Sequence, residues 1–126
     1  LQALYPQVFL CVVNWYQVVD GKPYFNEPGD HAGEMETSAM MHIAPGWVLD
    51  LSEAGDGAAK PFKINAFREG WAWAQREWSR VTADTGVGNP HAATAEKGKR
   101  YLTDVAEKLG GLLVDLADAD TKDMYS

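Results

Sequence analysis

The sequence predicts an α/β fold with a largely parallel sheet, on three observations. Val8-Phe9-Leu10-Cys11-Val12-Val13 is a continuous β-branched and aromatic run without alternation, the pattern of a strand covered on both faces. Leu102, Val105, Ala106, Leu109, Leu112, Leu113 and Leu116 recur at spacings of three and four, so a C-terminal helix carries one apolar stripe. Met35, Ala39 and Ile43 share one face of a second helix, from about Gly33 to Ile43, ended by Ala44-Pro45-Gly46.

The remaining elements follow in order. Leu1 to Pro6 resembles the last turn of a helix stopped by proline, which leads us to expect preceding chain. The strand delivers Asn14-Trp15-Tyr16 at its carboxyl end, where open α/β sheets bind ligands. Asp20 to Gly29 is turn-rich loop, Trp47 to Leu51 a short extended segment, and Gly55 to Pro61 loop. Gly70 to Trp78 holds three of the five tryptophans, Trp71, Trp73 and Trp78, which suit packing in the core or at a subunit contact; stacking on a sugar ring or base is the alternative. Asn89-Pro90 reads as N-cap and first residue of the last helix. Gly110-Gly111 implies a close contact, a kink or an early end, and the tail after Asp118 is polar.

At 126 residues the chain has the size of one domain. A net charge of −7 disfavours nucleic acid and anionic membrane surfaces as partners, since both need clustered Lys and Arg. Cys11 is the single cysteine, so there is no disulfide framework, and a reducing, cytoplasmic setting fits. Its place in an apolar strand disfavours a thiolate nucleophile. No run of residues has the length of a membrane span or the order of a signal peptide.

Asp30-His31-Ala32-Gly33-Glu34-Met35-Glu36 packs one imidazole and three carboxylates into seven positions. Imidazole titrates near neutrality and carboxylates bind divalent metals, so this density suits a metal or acid/base site. The structural alternative is Asp30 as a helix cap with Glu34 and Glu36 in the first turn. Sequence chemistry alone leaves both open. His42, at a helix C-terminus, and His91, in a first turn, read as structural and solvent-facing. The chain has no phosphate loop of the Walker type, nucleophile elbow or Rossmann fingerprint.

Asp30-His31-Ala32-Gly33-Glu34-Met35-Glu36-Thr37-Ser38, followed by Met40-Met41 and Pro45, resembles the His-Ala-Gly-Glu-Xaa-Glu-Thr-Ser signature of the creatininase (creatinine amidohydrolase) family. Gly88-Asn89-Pro90 with Ala93-Thr94-Ala95-Glu96-Lys97-Gly98 is similar to that family's second segment, which opens its last long helix. The resemblance implies a three-layer α/β/α fold, a homo-oligomer, commonly a hexamer, and metal-dependent hydrolysis of a cyclic or linear amide. By motif position His31 corresponds to the substrate-handling histidine that exchanges a proton with the scissile nitrogen, and Glu36 to the acid that orients it. Asp30 lies on the same substrate-facing wall, and Trp15 or Tyr16 falls near an aromatic packed over the substrate. Glu34 then returns to a helix-terminus role.

Family members resemble chains about twice this length, with metal ligands in a first half that includes an Asn-Gly-His-Gly-Gly-Asn-like segment absent here. Residues 1–126 are therefore expected to be the C-terminal portion of one creatininase-like domain, with no metal ligand of their own. Zinc or manganese would be held by the N-terminal half or a partner chain. Metal-bound hydroxide would attack the amide carbon while His31 protonates the leaving nitrogen. Two rivals are a non-catalytic half-domain serving assembly and an aromatic-rich ligand-binding module using Trp71, Trp73 and Trp78.

Overall fold

The computed structural model describes Leu1 and residues 3–125. Among them are four α-helices: α1 (Glu34–Ile43), α2 (Asn65–Arg68), α3 (Trp78–Val81) and α4 (Ala95–Asp118). Single 3-10 turns lie at Trp15–Gln17, Pro45–Trp47 and Leu51–Glu53. The chain divides into two compact units, Leu1–Asp20 with Leu102–Ser126, and Gly21–Tyr101. No helix among the described residues is long and apolar enough to cross a membrane.

The expected parallel sheet does not form, which corrects both the α/β expectation and the α/β/α layering implied by the family motif. The described residues contain no strand, only an isolated antiparallel bridge between His31 and Val87. An apolar run becomes a strand only where another extended segment meets its backbone donors and acceptors. No strand pairs with residues 8–13, and Val12 is 90% exposed. Cys11 is exposed as well, so its apolar neighbours do not bury it. The extended segment expected at Trp47–Leu51 is replaced by 3-10 turns at its two ends, the second capped by Asp50, whose carboxylate accepts the Ser52 amide at 2.9 Å.

In the first unit, α4 presents its leucine stripe as expected from periodicity. Val105 is buried, Leu102, Leu109, Leu112 and Leu116 are half-buried, and Leu113 is exposed. The helix continues through Gly110-Gly111, and a Cβ at either position would meet nothing within 4 Å, so no close contact explains the pair. The Lys108 ammonium donates to the Val18 carbonyl at 3.3 Å.

In the second unit, α1 starts and ends where its sequence signals place it, but only part of its apolar face is covered. Met35 and Ala39 are buried, whereas Ile43 is exposed. They share the core with Phe25, Ala93 and Tyr101, whose ring meets Phe25 and Tyr24 edge-on at 5.2 and 5.3 Å. α4 begins later than Asn89-Pro90 suggests. The Asn89 side chain caps only a local turn, accepting the His91 amide at 3.0 Å. Thr94 supplies the helix cap, its hydroxyl accepting the Lys97 amide at 3.2 Å.

The fully buried Ser38 joins α1 to this start by accepting the Thr94 amide at 3.1 Å. Gly98 lies against the same turn, and a methyl there would overlap the Ser38 carbonyl. Backbone cannot yield as a flexible side chain does, so Gly98→Ala is expected to lower stability by about 2 kcal/mol or more. Urea denaturation checks this, and an unchanged midpoint would remove the close crossing from the account.

Candidate active site

The loop from Pro28 to Gly33 carries His31 and is fixed from three directions. The Val87 carbonyl accepts from the amides of Asp30 and His31 at 2.8 and 3.0 Å, and the Val87 amide donates back to the His31 carbonyl at 2.8 Å. The Met35 amide donates to the Pro28 carbonyl at 3.1 Å. Gly29, Gly33 and Gly88 meet so closely that a Cβ on Gly88, at φ 129°, would lie 2.7 Å from the Gly29 Cα. Ala32 has φ 50°, a sparsely populated conformation for a residue with a Cβ. The motif's backbone is thus held by its surroundings rather than by local preference.

These restraints bring His31, Glu36 and Asp30 onto one segment. Glu36 Oε2 accepts the Ala32 amide at 2.7 Å and lies 3.6 Å from His31 Nδ1, so the two side chains form an ion pair when the imidazole is protonated. Gly33, the residue ahead of the helix, makes no side-chain cap bond, and the Glu36 carboxylate instead reaches back to the Ala32 amide that precedes it. The alternative of Asp30 as cap is not realised. Its carboxylate instead takes a bidentate pair of bonds from Arg76, at 2.5 and 3.2 Å. The Arg76 guanidinium lies 4.4 Å from the Trp78 ring centroid, and that indole stands 5.0 Å from the His31 ring. His31 is half exposed and no described protein group bonds its Nε2, which leaves that nitrogen open to a ligand.

Glu34 belongs to the scaffold more deeply than a helix-terminus role implies. Its side chain is 1% exposed, accepts the Glu27 amide at 2.9 Å and pairs with Lys97 Nζ at 2.5 Å. Lys97 also donates to the Ala92 carbonyl at 2.8 Å. Burial pushes the Glu34 carboxyl upward, but the Glu27 amide and the Lys97 ammonium together outweigh it and hold the group below the usual glutamate range. On the other side of the loop, Asp84 accepts the amides of Gly86 and Gly55 at 3.0 and 3.2 Å, and the Gly86 bond chiefly keeps its carboxyl low.

Trp15 and Tyr16 lie in the other compact unit, edge to face at 6.3 Å, apart in the chain from the His31 segment. Arg76 and Lys97 are the residues local sequence reasoning passed over, while Trp78 was singled out for packing or ligand stacking and not for a place beside His31. Lys97 was marked only by its place in the second motif, and Arg76 by a Trp-rich surrounding. Trp71 and Trp73 are 74% and 82% exposed and fill no core in this chain; only Trp78 is half-buried.

Several depressions border the segment, among them one of about 180 Å³ beside Ala32 and Gly88. Ala32, Glu36, Thr37 and Met40 line another of about 310 Å³ with Trp47, Val48 and Leu49. Asp30 and Val87 border a further one of about 590 Å³, whose remaining wall comes from residues 59–63 and 76–81. His31 lines none of these. No group of three or more His, Cys, Asp or Glu able to hold a metal ion occurs among the described residues.

The family model "Creatinine amidohydrolase" matches residues 3–113, which includes both motif segments and the whole of the site just described. The chain belongs to the creatininase family. It is also similar to a crystal structure named "Putative creatinine amidohydrolase" from Bacteroides fragilis NCTC 9343, with 47% identity and a TM-score of 0.86 over 99% of this chain. The chain spans 48% of that structure's length. Among curated proteins nothing matches it.

Proposed function

We propose that this chain supplies the proton-transfer wall of a creatininase-family amidohydrolase acting on a cyclic or linear amide C–N bond. The observation that carries the proposal is the His31–Glu36 pair, an imidazole held beside a carboxylate with Nε2 open, on the motif that places the chain in the family. His31 donates a proton to the scissile amide nitrogen as the C–N bond breaks. Glu36 holds the ring by its Nδ1 side and balances the imidazolium charge. Trp78 packs beside the imidazole at a tilt, and Arg76 ties that indole to the neighbouring Asp30.

The family is generally metal-dependent, and this chain's described residues do not make up a metal site. Zinc or manganese, if used, would be bound by residues outside this chain, from an N-terminal half or a partner, in a homo-oligomer. Trp15 and Tyr16 are kept as substrate-packing candidates on motif position alone.

The test is hydrolysis of a panel of amides by the intact protein, followed as ring opening for the cyclic ones and as amine or ammonia release for the linear ones, alongside elemental analysis of the same preparation. Hydrolysis with stoichiometric divalent metal is the expected result. Absence of turnover on every amide, with no stoichiometric metal, would make the chain a half-domain that serves assembly.

A further inference from the structure

The cavity of about 590 Å³ beside the His31 loop has a charge character opposite to that of the chain, which is −7 overall. Four cations line it, Lys60, Lys63, Arg76 and Arg80, against two carboxylates, Asp30 and Glu77. Both carboxylates are already paired, Asp30 with Arg76 at 2.5 Å and Glu77 with Arg80 at 3.2 Å. Neither Lys60 nor Lys63 forms an ion pair with a described residue, so two positive charges remain uncompensated at one cavity. Phe62 contributes an aromatic surface, backed by Phe67 at 4.9 Å. A depression with apolar walls and unneutralised cations concentrates the potential that attracts an anion.

We infer that this cavity is an oxyanion site, in which Lys60 and Lys63 hold a carboxylate or phosphate group of the amide substrate while Phe62 covers its body. Its place follows from the backbone: Asp30 immediately precedes His31, and Val87 is the bridge partner of His31, so a ligand anchored here borders the proton-transfer group. The inference deepens the amidohydrolase reading by naming an anionic substrate class, and rests on it for that name. Compact ammonium groups suit either oxyanion, because they bind as point charges rather than through a planar fork.

Calorimetric titration of the intact protein with benzoylglycine, its neutral amide benzoylglycinamide, and phenyl phosphate tests it by binding alone. At least one anion is expected to bind ten-fold or more tightly than the neutral amide, and the preferred anion distinguishes carboxylate from phosphate. The double variant Lys60→Ala/Lys63→Ala should weaken that anion at least ten-fold, and Lys60→Arg/Lys63→Arg should restore most of it. Added salt should weaken the anion and not the neutral probe. Both lysines are exposed, so folding is expected to survive, and the melting temperature verifies it.

His31→Ala should leave anion binding intact. Equal affinity for anion and neutral amide, or an alanine double variant that binds as the parent does, overturns the oxyanion site while leaving the hydrolase reading standing. Anion binding without turnover on any amide leaves the site in place and removes the hydrolase reading.

Discussion

His31→Ala is expected, under the proposed proton-transfer role, to lower amide turnover by about 10²–10⁴-fold, the range that a positioned acid/base group contributes. Its melting temperature should stay within about 2 °C of the parent. The two effects separate because the side chain and backbone of His31 do different things. The backbone bonds to Val87 fix the loop whatever side chain is present. The imidazole is half exposed, and its neighbours are Glu36 at 3.6 Å and the tilted ring of Trp78 at 5.0 Å. Deleting it therefore removes the proposed proton donor without opening a core. Kinetics and thermal unfolding on the same preparation check both halves of this expectation.

Lys97→Met should be the most damaging single change to stability, at about 3 kcal/mol at neutral pH. Removing one partner of a buried ion pair leaves the other charge uncompensated in a poorly solvated place. Here that charge is Glu34, 1% exposed, which would keep the Glu27 amide but lose its counter-ion. For a chain of this size the loss corresponds to a melting temperature lower by about 12 °C.

The pH dependence follows from the direction of the Glu34 shift. Its carboxyl is held low in the folded state, so its contribution is fully present above the ordinary glutamate value of 4.5. It is lost as pH falls from there through the depressed folded value, because the unfolded chain takes up the proton first. The deficit of Lys97→Met should thus be greatest near neutrality and shrink as pH falls through the depressed folded value, below which the carboxyl is neutral in either protein. Glu34→Gln, which retains an acceptor for the Glu27 amide, should flatten the acid limb. Thermal unfolding from about pH 3 to pH 8 measures all three curves, and parallel curves would show that the pair is not coupled to folding.

Local pattern in the sequence located much of this site and little of its support. The limits of α1 were legible because a glycine opens it and Ala44-Pro45-Gly46 closes it, both short-range signals. The motif around His31 was legible as chemistry, and its pairing with the Thr94-to-Gly98 segment identified the family. Asp30's partner lies 46 residues away and Glu34's lies 63 away, separations at which periodicity and capping rules carry no information. The helix start moved from Asn89-Pro90 to Thr94 because two residues each offered a capping side chain and only Thr94 met a helical amide. Residues 8–13 misled for a different reason. Their composition reports that the run is apolar and β-branched, but a strand also needs a neighbouring backbone, which composition does not describe.

Added imidazole on the His31→Ala variant tests the proton-transfer account most directly, with kcat/KM followed against imidazole concentration at fixed pH. The account predicts a low starting rate that rises and saturates as free imidazole enters the space beside Glu36, while the melting temperature stays constant. A variant that hydrolyses amides at the parent rate without imidazole, or loses activity only in step with its fold, would contradict it.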